Sequence, residues 1–205
     1  MGTDISGWIE ILTEDWNSGD IAERWLAVVD LGHLYLGRDY DAFGCLFGVR
    51  NFAGFRPLAA DRGLPEDASA KVQDECEGIG GHSPTWISWA ELAVVDWAEP
   101  AVRVDERVHK YRRLSDGSLQ FVSKAAYDGD LEKLIGSARG PGESADLYPE
   151  GTEWTDGDTV YRVERLRRSD AVAPDGEWRP VWAVMEALAS VHDPEKVRLV
   201  VCFDS

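Results

Sequence analysis

Four arginines are the residues of this sequence whose type and spacing most directly suggest ligand chemistry. Residues 1–100 hold six of the 21 basic residues, and four of these six are Arg38, Arg50, Arg56 and Arg62. A guanidinium group is planar and binds phosphate or carboxylate through paired hydrogen bonds. We therefore predict an anion-binding site at Arg50, Arg56 and Arg62, with Asn51 beside them.

The same arginines have an alternative role as ion-pair partners within the fold. Several carboxylates lie equally near them in the chain, namely Asp39, Asp41, Asp61 and Asp67. Both roles use the same guanidinium chemistry, so the sequence leaves the two open.

Residues 80–86, Gly-Gly-His-Ser-Pro-Thr-Trp, form a second candidate site. His82 can accept or donate a proton near neutral pH, and Ser83 adds a hydroxyl group. Trp86 offers a flat face on which a base could stack. We name His82 and Asp4 as candidate acid–base residues, and Ser83 and Trp86 as candidate ligand contacts. The alternative for His82 is a structural role in a loop.

Five other tryptophans fall within predicted helices or strands, and we expect them in the core: Trp8, Trp25, Trp89, Trp97 and Trp182.

The sequence predicts neither a metal site nor a cofactor. Its four histidines show no His-x-His or His-Glu-x-x-His spacing, and there is no glycine-rich phosphate loop. Three widely separated cysteines, Cys45, Cys76 and Cys202, form no Cys-x-x-Cys pair. We therefore predict free thiols in a reducing compartment.

The charge of the chain restricts its partners. Thirty-eight acidic residues against 21 basic ones give a formal net charge of −17. Direct binding to nucleic acid or to an anionic membrane needs basic residues, so neither is expected. The acidic surface favours a basic host protein as partner. The start of the chain shows no signal-peptide pattern, and no apolar run approaches the roughly 20 residues of a membrane span, so we predict a cytoplasmic protein.

The order of the predicted strands and helices along the chain indicates an α+β fold. In this fold an antiparallel or mixed sheet packs against several short helices. The sheet is expected to include an N-terminal hairpin and the C-terminal strand. Predicted strands cover residues 5–12, 25–31, 159–166 and 197–203, and residues 102–111 fit either a strand or a charged helix. Predicted helices cover residues 39–50, 67–77, 89–97, 130–137 and 178–190. Turn residues cluster at 15–20 and loop residues at 140–144. We predict a single domain over residues 1–205, with residues 101–175 as a candidate variable insertion.

Several segments together resemble a known family. They are Met1-Gly2-Thr3-Asp4-Ile5, Arg38-Asp39-Tyr40-Asp41-Ala42-Phe43, Val49-Arg50-Asn51, Arg62-Gly63-Leu64-Pro65-Glu66-Asp67, His82-Ser83-Pro84-Thr85-Trp86, Asp96-Trp97 and Val197-Arg198-Leu199-Val200-Val201-Cys202-Phe203-Asp204. The combination resembles uncharacterised proteins of bacteriophages, prophages and actinobacteria that often begin Met-Gly-Cys-Asp-Ile-His. The likeness covers the first hundred residues and the last ten. Thr3 and Ser6 replace the Cys and His of that opening, so a metal site on those two side chains cannot form here.

The resemblance implies a polar pocket built from Asp4, the loop between Arg50 and Arg62, and His82. We expect a phage-type accessory protein that binds a small anionic, nucleotide-like ligand and thereby sequesters a host defence signal. The first alternative is a hydrolase or transferase that acts on such a ligand. The second is an acidic inhibitor that mimics nucleic acid and binds a basic protein.

Overall fold

A computed structural model describes residues 2–15, 22–78, 80–136 and 148–204. Eight strands lie within these ranges: β1 Asp4–Asp15, β2 Ala22–Asp30, β3 His82–Ser88, β4 Val108–Arg113, β5 Leu119–Ala125, β6 Glu153–Asp156, β7 Thr159–Arg162 and β8 Val197–Asp204. The helices are α1 Tyr40–Phe47, α2 Ala70–Gly78, α3 Trp89–Leu92, α4 Gly129–Ile135, α5 Arg168–Ala171 and α6 Arg179–His192. The loop predicted at residues 140–144 and nearly all of the turn at 15–20 lie outside the described residues.

The first sheet has the strand order β2-β1-β8-β3, and every neighbouring pair is antiparallel. The predicted N-terminal hairpin and the C-terminal strand are therefore confirmed, as is the α+β class. Apart from Arg198, which pairs with the buried Glu10 at 2.8 Å, strand β8 is apolar on both faces because both faces are covered. Leu199 and Phe203 face the main core with α1 and α6, whereas Val200 faces Val72 of α2.

The second sheet has the order β5-β4-β7-β6 and is also antiparallel. Its strands span residues 108–162, within the stretch considered as an insertion. Helix α4 covers one side through Leu131, which packs with Val108 and Tyr161 in a small core of its own. Phe121 and Val122 of β5 remain about half exposed.

Three predicted elements are shorter in the structure, each for a local reason. The helix predicted at 39–50 ends at Phe47 because Gly48 adopts a left-handed conformation with φ of 79°. The helix predicted at 89–97 ends at Leu92, before the β-branched pair Val94 and Val95, which disfavours helix. The strand predicted at 159–166 ends at Arg162, after which Val163 bonds to the Thr152 carbonyl outside the ladder.

The prediction of three free thiols is wrong for two of them. Cys76 of α2 and Cys202 of β8 form a disulfide, with Cα atoms 5.8 Å apart and 126 residues between them in the chain. Only the packing of α2 on β8 brings the two together. The prediction of a reducing compartment therefore loses its main support, because disulfides persist mainly in oxidising ones. Cys45 is free and buried, and its burial raises its pKa to about 12.

Candidate functional site

One end of the first sheet gathers several of the predicted site residues. The register pairs Asp4 of β1 with Asp204 of β8, and Phe203 of β8 with His82 of β3. The antiparallel order therefore brings the start of β1, the end of β8 and the start of β3 to the same edge. Helix α1 begins there too, since the Thr3 amide donates a hydrogen bond to Tyr40 Oη at 3.0 Å.

A pocket of about 310 Å³ opens at this end, and we call it the sheet-end pocket. Its lining comes from the end of α1, the loop that follows, and the start of β3: Phe47, Gly48, Val49, Arg50, Ala60, Asp61, His82 and Ser83. The structure thus places Arg50, His82 and Ser83 around one cavity, although more than 30 residues separate Arg50 from the other two.

Backbone strain is concentrated in this pocket. Within the described ranges, four residues other than glycine have a positive φ, and three of them line it: Arg50 (54°), Asp61 (54°) and Ser83 (50°). The left-handed conformation costs such residues roughly 1–2 kcal/mol each. It persists only where the surroundings hold it, and such residues cluster at binding and catalytic sites.

The position of Arg50 is set by contacts that leave its charge available. Its Nε donates to Thr3 Oγ1 at 2.9 Å, and its guanidinium carbon lies 6.0 Å from the centre of the Tyr40 ring. The Arg50 side chain makes no ion pair with any described residue, in a chain with a large excess of acids. An exposed, unneutralised guanidinium at a concave site is suited to an anion.

His82 and Ser83 occupy an irregular start of β3. The register with β8 shifts between His82 and Thr85, so the regular side-chain alternation is interrupted there. Bulges of this kind redirect side chains and are common beside active sites. His82 Nδ1 lies 3.0 Å from Ser83 Oγ, and the imidazole ring stacks on Phe203 with a centroid distance of 6.2 Å. Both side chains are exposed.

Asp4 lies at the same end of the sheet but is committed to another partner. Arg38 holds its carboxylate with two hydrogen bonds, of 2.7 and 2.5 Å. Arg38 therefore takes the alternative role given for these arginines, as an ion-pair partner within the fold. Asp4 is consequently a poorer candidate for proton transfer than His82.

Arg62 and Trp86 form a separate cluster at the edge of β3. Arg62 donates to both carboxylate oxygens of Glu91, at 2.7 and 3.0 Å, and this contact lowers the pKa of Glu91 to about 2. The Trp86 ring lies between Arg62 and Arg198, whose guanidinium carbons are 5.1 and 5.8 Å from its centre. Neither residue lines the sheet-end pocket. The partner of Arg62 is Glu91, which the sequence analysis did not consider for it.

The two remaining candidates are not at the pocket either. Asn51 exchanges hydrogen bonds with the backbone of Phe55, at 2.8 and 2.9 Å, and so closes the turn after α1. The side chain of Arg56 is exposed and does not line the pocket, while its carbonyl oxygen accepts a hydrogen bond from Arg168 at 3.2 Å.

Thr3 and Tyr40 were not predicted as supports of Arg50, and Asp61 was predicted only as an ion-pair partner. A usable signal for Asp61 was its place in a long loop rich in glycine and proline, since such loops are often functional.

A buried cluster of charges, also missed, joins the second sheet to α1. Arg107 hydrogen-bonds to Asp41 of α1 and to Asp105, which is fully buried. Lys124 of β5 also contacts the Asp41 carboxylate. We call these residues, together with His109 and Glu164, the inter-sheet charge cluster.

His109 is the titratable centre of the inter-sheet charge cluster. Its Nε2 lies 3.0 Å from Asp105 and its Nδ1 lies 3.4 Å from Glu164. Burial alone would lower the pKa of His109, but the hydrogen bonds to the two carboxylates outweigh it and raise the pKa. Burial likewise opposes the Asp105 charge, yet the hydrogen bonds from His109 and Arg107 hold its pKa below the ordinary value. Within the cluster, charges of opposite sign therefore stabilise one another.

Across the described ranges, no three His, Cys, Asp or Glu side chains converge as ligands for a metal ion. Nor does any helix in the same part of the chain have the length and apolar composition needed to cross a bilayer.

Comparisons with protein-family models, curated proteins and solved structures gave no match. The resemblance to phage and actinobacterial proteins therefore stays a prediction.

Proposed function

We propose that the protein binds a small phosphate-bearing ligand of the nucleotide class in the sheet-end pocket. The observation that carries this proposal is the concentration of positive-φ residues there, at Arg50, Asp61 and Ser83. Two of these residues lie in the loop after α1 and the third lies in β3, so two separate parts of the chain bring them to one cavity. Strain of this kind is retained where it positions groups for a ligand.

The side chains of the pocket suit different parts of such a ligand. Arg50 supplies the positive charge for phosphate, and His82 and Ser83 supply hydrogen-bond donors. Asp61 would repel a second phosphate but can accept hydrogen bonds from hydroxyl or amino groups, as acidic residues do from ribose in dinucleotide sites. A ligand that is anionic at one end and rich in donors at the other fits this set.

The structure narrows the ligand hypothesis in one respect. Trp86 does not line the sheet-end pocket, so base stacking on Trp86 does not form part of the proposal. At about 310 Å³ the pocket lies at the small end of ligand sites. The sequestration of a host defence signal is the biological role that the resemblance implies for this binding, and it rests on that resemblance alone.

Calorimetric titration tests the proposal with inorganic phosphate, mononucleotides, cyclic nucleotides and ADP-ribose. The variant is Arg50→Asn, because asparagine tolerates the left-handed conformation. We expect at least about a tenfold loss of affinity, since a charged hydrogen bond contributes roughly 1.5–3 kcal/mol. The matched control is Arg56→Asn, an exposed arginine of the following loop outside the pocket, which should bind normally. Absence of binding by the whole panel, or equal losses in both variants, contradicts the proposal.

The contact of His82 with Ser83 favours one alternative, that the pocket catalyses hydrolysis or group transfer. His82 Nδ1 would accept the Ser83 hydroxyl proton as Oγ attacks phosphorus, and would give it to the leaving oxygen as the original P–O bond breaks. Water, or an acceptor hydroxyl, would then displace Ser83 from the phosphoseryl group and return the proton to its oxygen. Phosphorus NMR of bound nucleotide should then show turnover that is lost in both Ser83→Ala and His82→Ala. Tight binding without turnover by the unaltered protein rules this alternative out.

A further inference from the structure

A second and larger pocket shares no lining residue with the sheet-end pocket. Its volume is about 460 Å³, and Trp89, Trp97 and Trp182 line it together with Leu92, Val172 and Glu186. All three tryptophans were expected in the core. They pack against the core but stay partly exposed, because each also borders this cavity.

Trp182 is held in place by a stack of aromatic rings that reaches the core. It lies 5.2 Å from Trp178, nearly parallel at 19°, and Trp178 lies 4.4 Å from Tyr35 at 27°. Trp178 is only 2% exposed and Tyr35 only 4%. The indole that borders the pocket is therefore fixed by buried neighbours.

The other two tryptophans are fixed by the chain on either side of them. Trp89 is the first residue of α3, directly after a capping box in which Ser88 and Glu91 exchange hydrogen bonds. The Trp97 carbonyl accepts a hydrogen bond from the Ser169 amide at 2.9 Å, which ties its turn to α5. Three indoles from separate segments thus border one cavity at positions set by the fold.

Glu186 is the charged residue of this lining. It follows Trp182 by four residues on α6, so the two side chains project from the same face of the helix. The Glu186 carboxylate is exposed and makes no ion pair or hydrogen bond with any residue of the described chain. Arg168, four residues before the lining residue Val172, is itself paired with Glu99 at 3.1 Å. An unpaired carboxylate beside three indoles is the feature that favours one charge class of ligand over the others.

We propose that this tryptophan pocket binds a small organic cation of the quaternary-ammonium class. The face of an indole carries negative potential and attracts cations, most effectively those with a weak hydration shell. Glu186 supplies the counter-charge, and the net charge of −17 raises the local concentration of cations. An anion would meet the Glu186 carboxylate, and a neutral apolar ligand would leave it without a partner.

The test is a pair of probes with the same shape and different charge. Choline carries a trimethylammonium group, and 3,3-dimethylbutan-1-ol replaces its nitrogen by carbon. By calorimetry, choline should bind about tenfold more tightly than the neutral analogue. A peptide containing trimethyllysine carries the same head group, and weaker binding of the peptide than of choline would assign the pocket to free small cations. Equal affinity for choline and its neutral analogue, or no binding of either, overturns the proposal.

Two variants and one spectroscopic readout locate the binding. Glu186→Gln should weaken choline binding several-fold, while Glu195→Gln, which makes the same charge change outside the pocket, should leave it unaltered. Trp97→Leu should remove binding in a protein whose circular dichroism is unchanged. Of the nine indole N–H signals in the NMR spectrum, those of Trp89, Trp97 and Trp182 should shift on titration. Equal effects of the two glutamate variants, or shifts at other indoles alone, also overturn the proposal.

Discussion

The two sheets contact helix α1 by different chemistry. The first sheet buries aliphatic and aromatic side chains against α1 and α6, and Phe203 meets the edges of Phe43 and Phe47 at 5.4 and 5.9 Å. The second sheet has only a small apolar core, and it meets α1 through the inter-sheet charge cluster. The stability from apolar packing does not depend on pH or on the direction of contact. A buried charge, in contrast, is stable only beside its partner and in the matching protonation state.

This difference indicates which part of the protein should contribute most to its stability and which part should respond to pH. Removing an apolar side chain from the first sheet should weaken the whole fold under all conditions. Removing a charge from the inter-sheet charge cluster should release the second sheet first, and its effect should depend on pH.

The largest expected effect is that of Phe203→Ala. Its ring is fully buried in β8, so we expect a loss of about 3–5 kcal/mol in the free energy of unfolding. The matched change Phe121→Ala, on the half-exposed face of β5, should cost about 1 kcal/mol. Denaturant unfolding measures both. Similar losses for the two would contradict the assignment of the core to the first sheet.

Asp105→Asn should come next, with a loss of about 3 kcal/mol. The change leaves Arg107 and His109 buried without the carboxylate that both contact, although Asp41 still pairs with Arg107. Hydrogen exchange should show lost protection in β4 and β7 before β1 and β8. Uniform loss over both sheets would mean that the charge cluster is not a local attachment.

Reduction of the Cys76–Cys202 disulfide should cost about 2–4 kcal/mol, because it closes a long loop between α2 and β8. The measurement is denaturant unfolding with and without reductant. Cys76→Ala should start at the lower stability and show no response to reductant, with Cys45 unaltered as the internal control. An unchanged free energy of unfolding on reduction of the native protein would contradict this bond's role.

The smallest effect is the pH dependence contributed by His109 and Asp105. The raised pKa of His109 stabilises the fold fully below its unfolded value of about 6.5, and this contribution disappears as pH rises through the folded value. The lowered pKa of Asp105 stabilises the fold above its unfolded value of about 3.9, and this contribution disappears as pH falls through the folded value. The cluster should therefore stabilise most between about pH 4 and 6.5.

Unfolding titrations of the native protein and of His109→Gln across pH 4–9 test this expectation. The native protein should lose stability toward the alkaline end, and the variant should lose less over the same range. Glu164, Arg107, Asp41 and Lys124 surround the pair, and the raised pKa of His109 sets the slope expected above pH 6. Parallel curves for the two proteins would contradict it.

The sequence by itself predicted features whose physics is local. The predicted helices at 39–50 and 89–97 begin where α1 and α3 begin, with Asp39 as the cap of α1 and Ser88 and Glu91 as the capping box of α3. The predicted strand at 197–203 lies within β8, which is buried on both faces. Such features depend on neighbours within a few residues, so they can be recognised in the sequence.

The candidate site was predictable in part, for a related reason. The resemblance implied that Arg50 and His82 share a pocket, and in the structure both line the sheet-end pocket together with Ser83. Arg62 and Trp86 were assigned to the same site, but the side of β3 on which they lie places them with Glu91 and Arg198. A guanidinium group pairs equally well with a ligand or a neighbour, so the choice between them depends on distances in three dimensions.

Only the tertiary structure decided the disulfide, the inter-sheet charge cluster and the tryptophan pocket. Each unites residues far apart in the chain: Cys76 with Cys202, Asp41 with Arg107, and Trp89 with Trp182. No local pattern encodes these meetings, because long-range contacts follow from how whole elements pack. Residue types therefore determined which chemistry was available to the protein, and packing determined which of those groups meet.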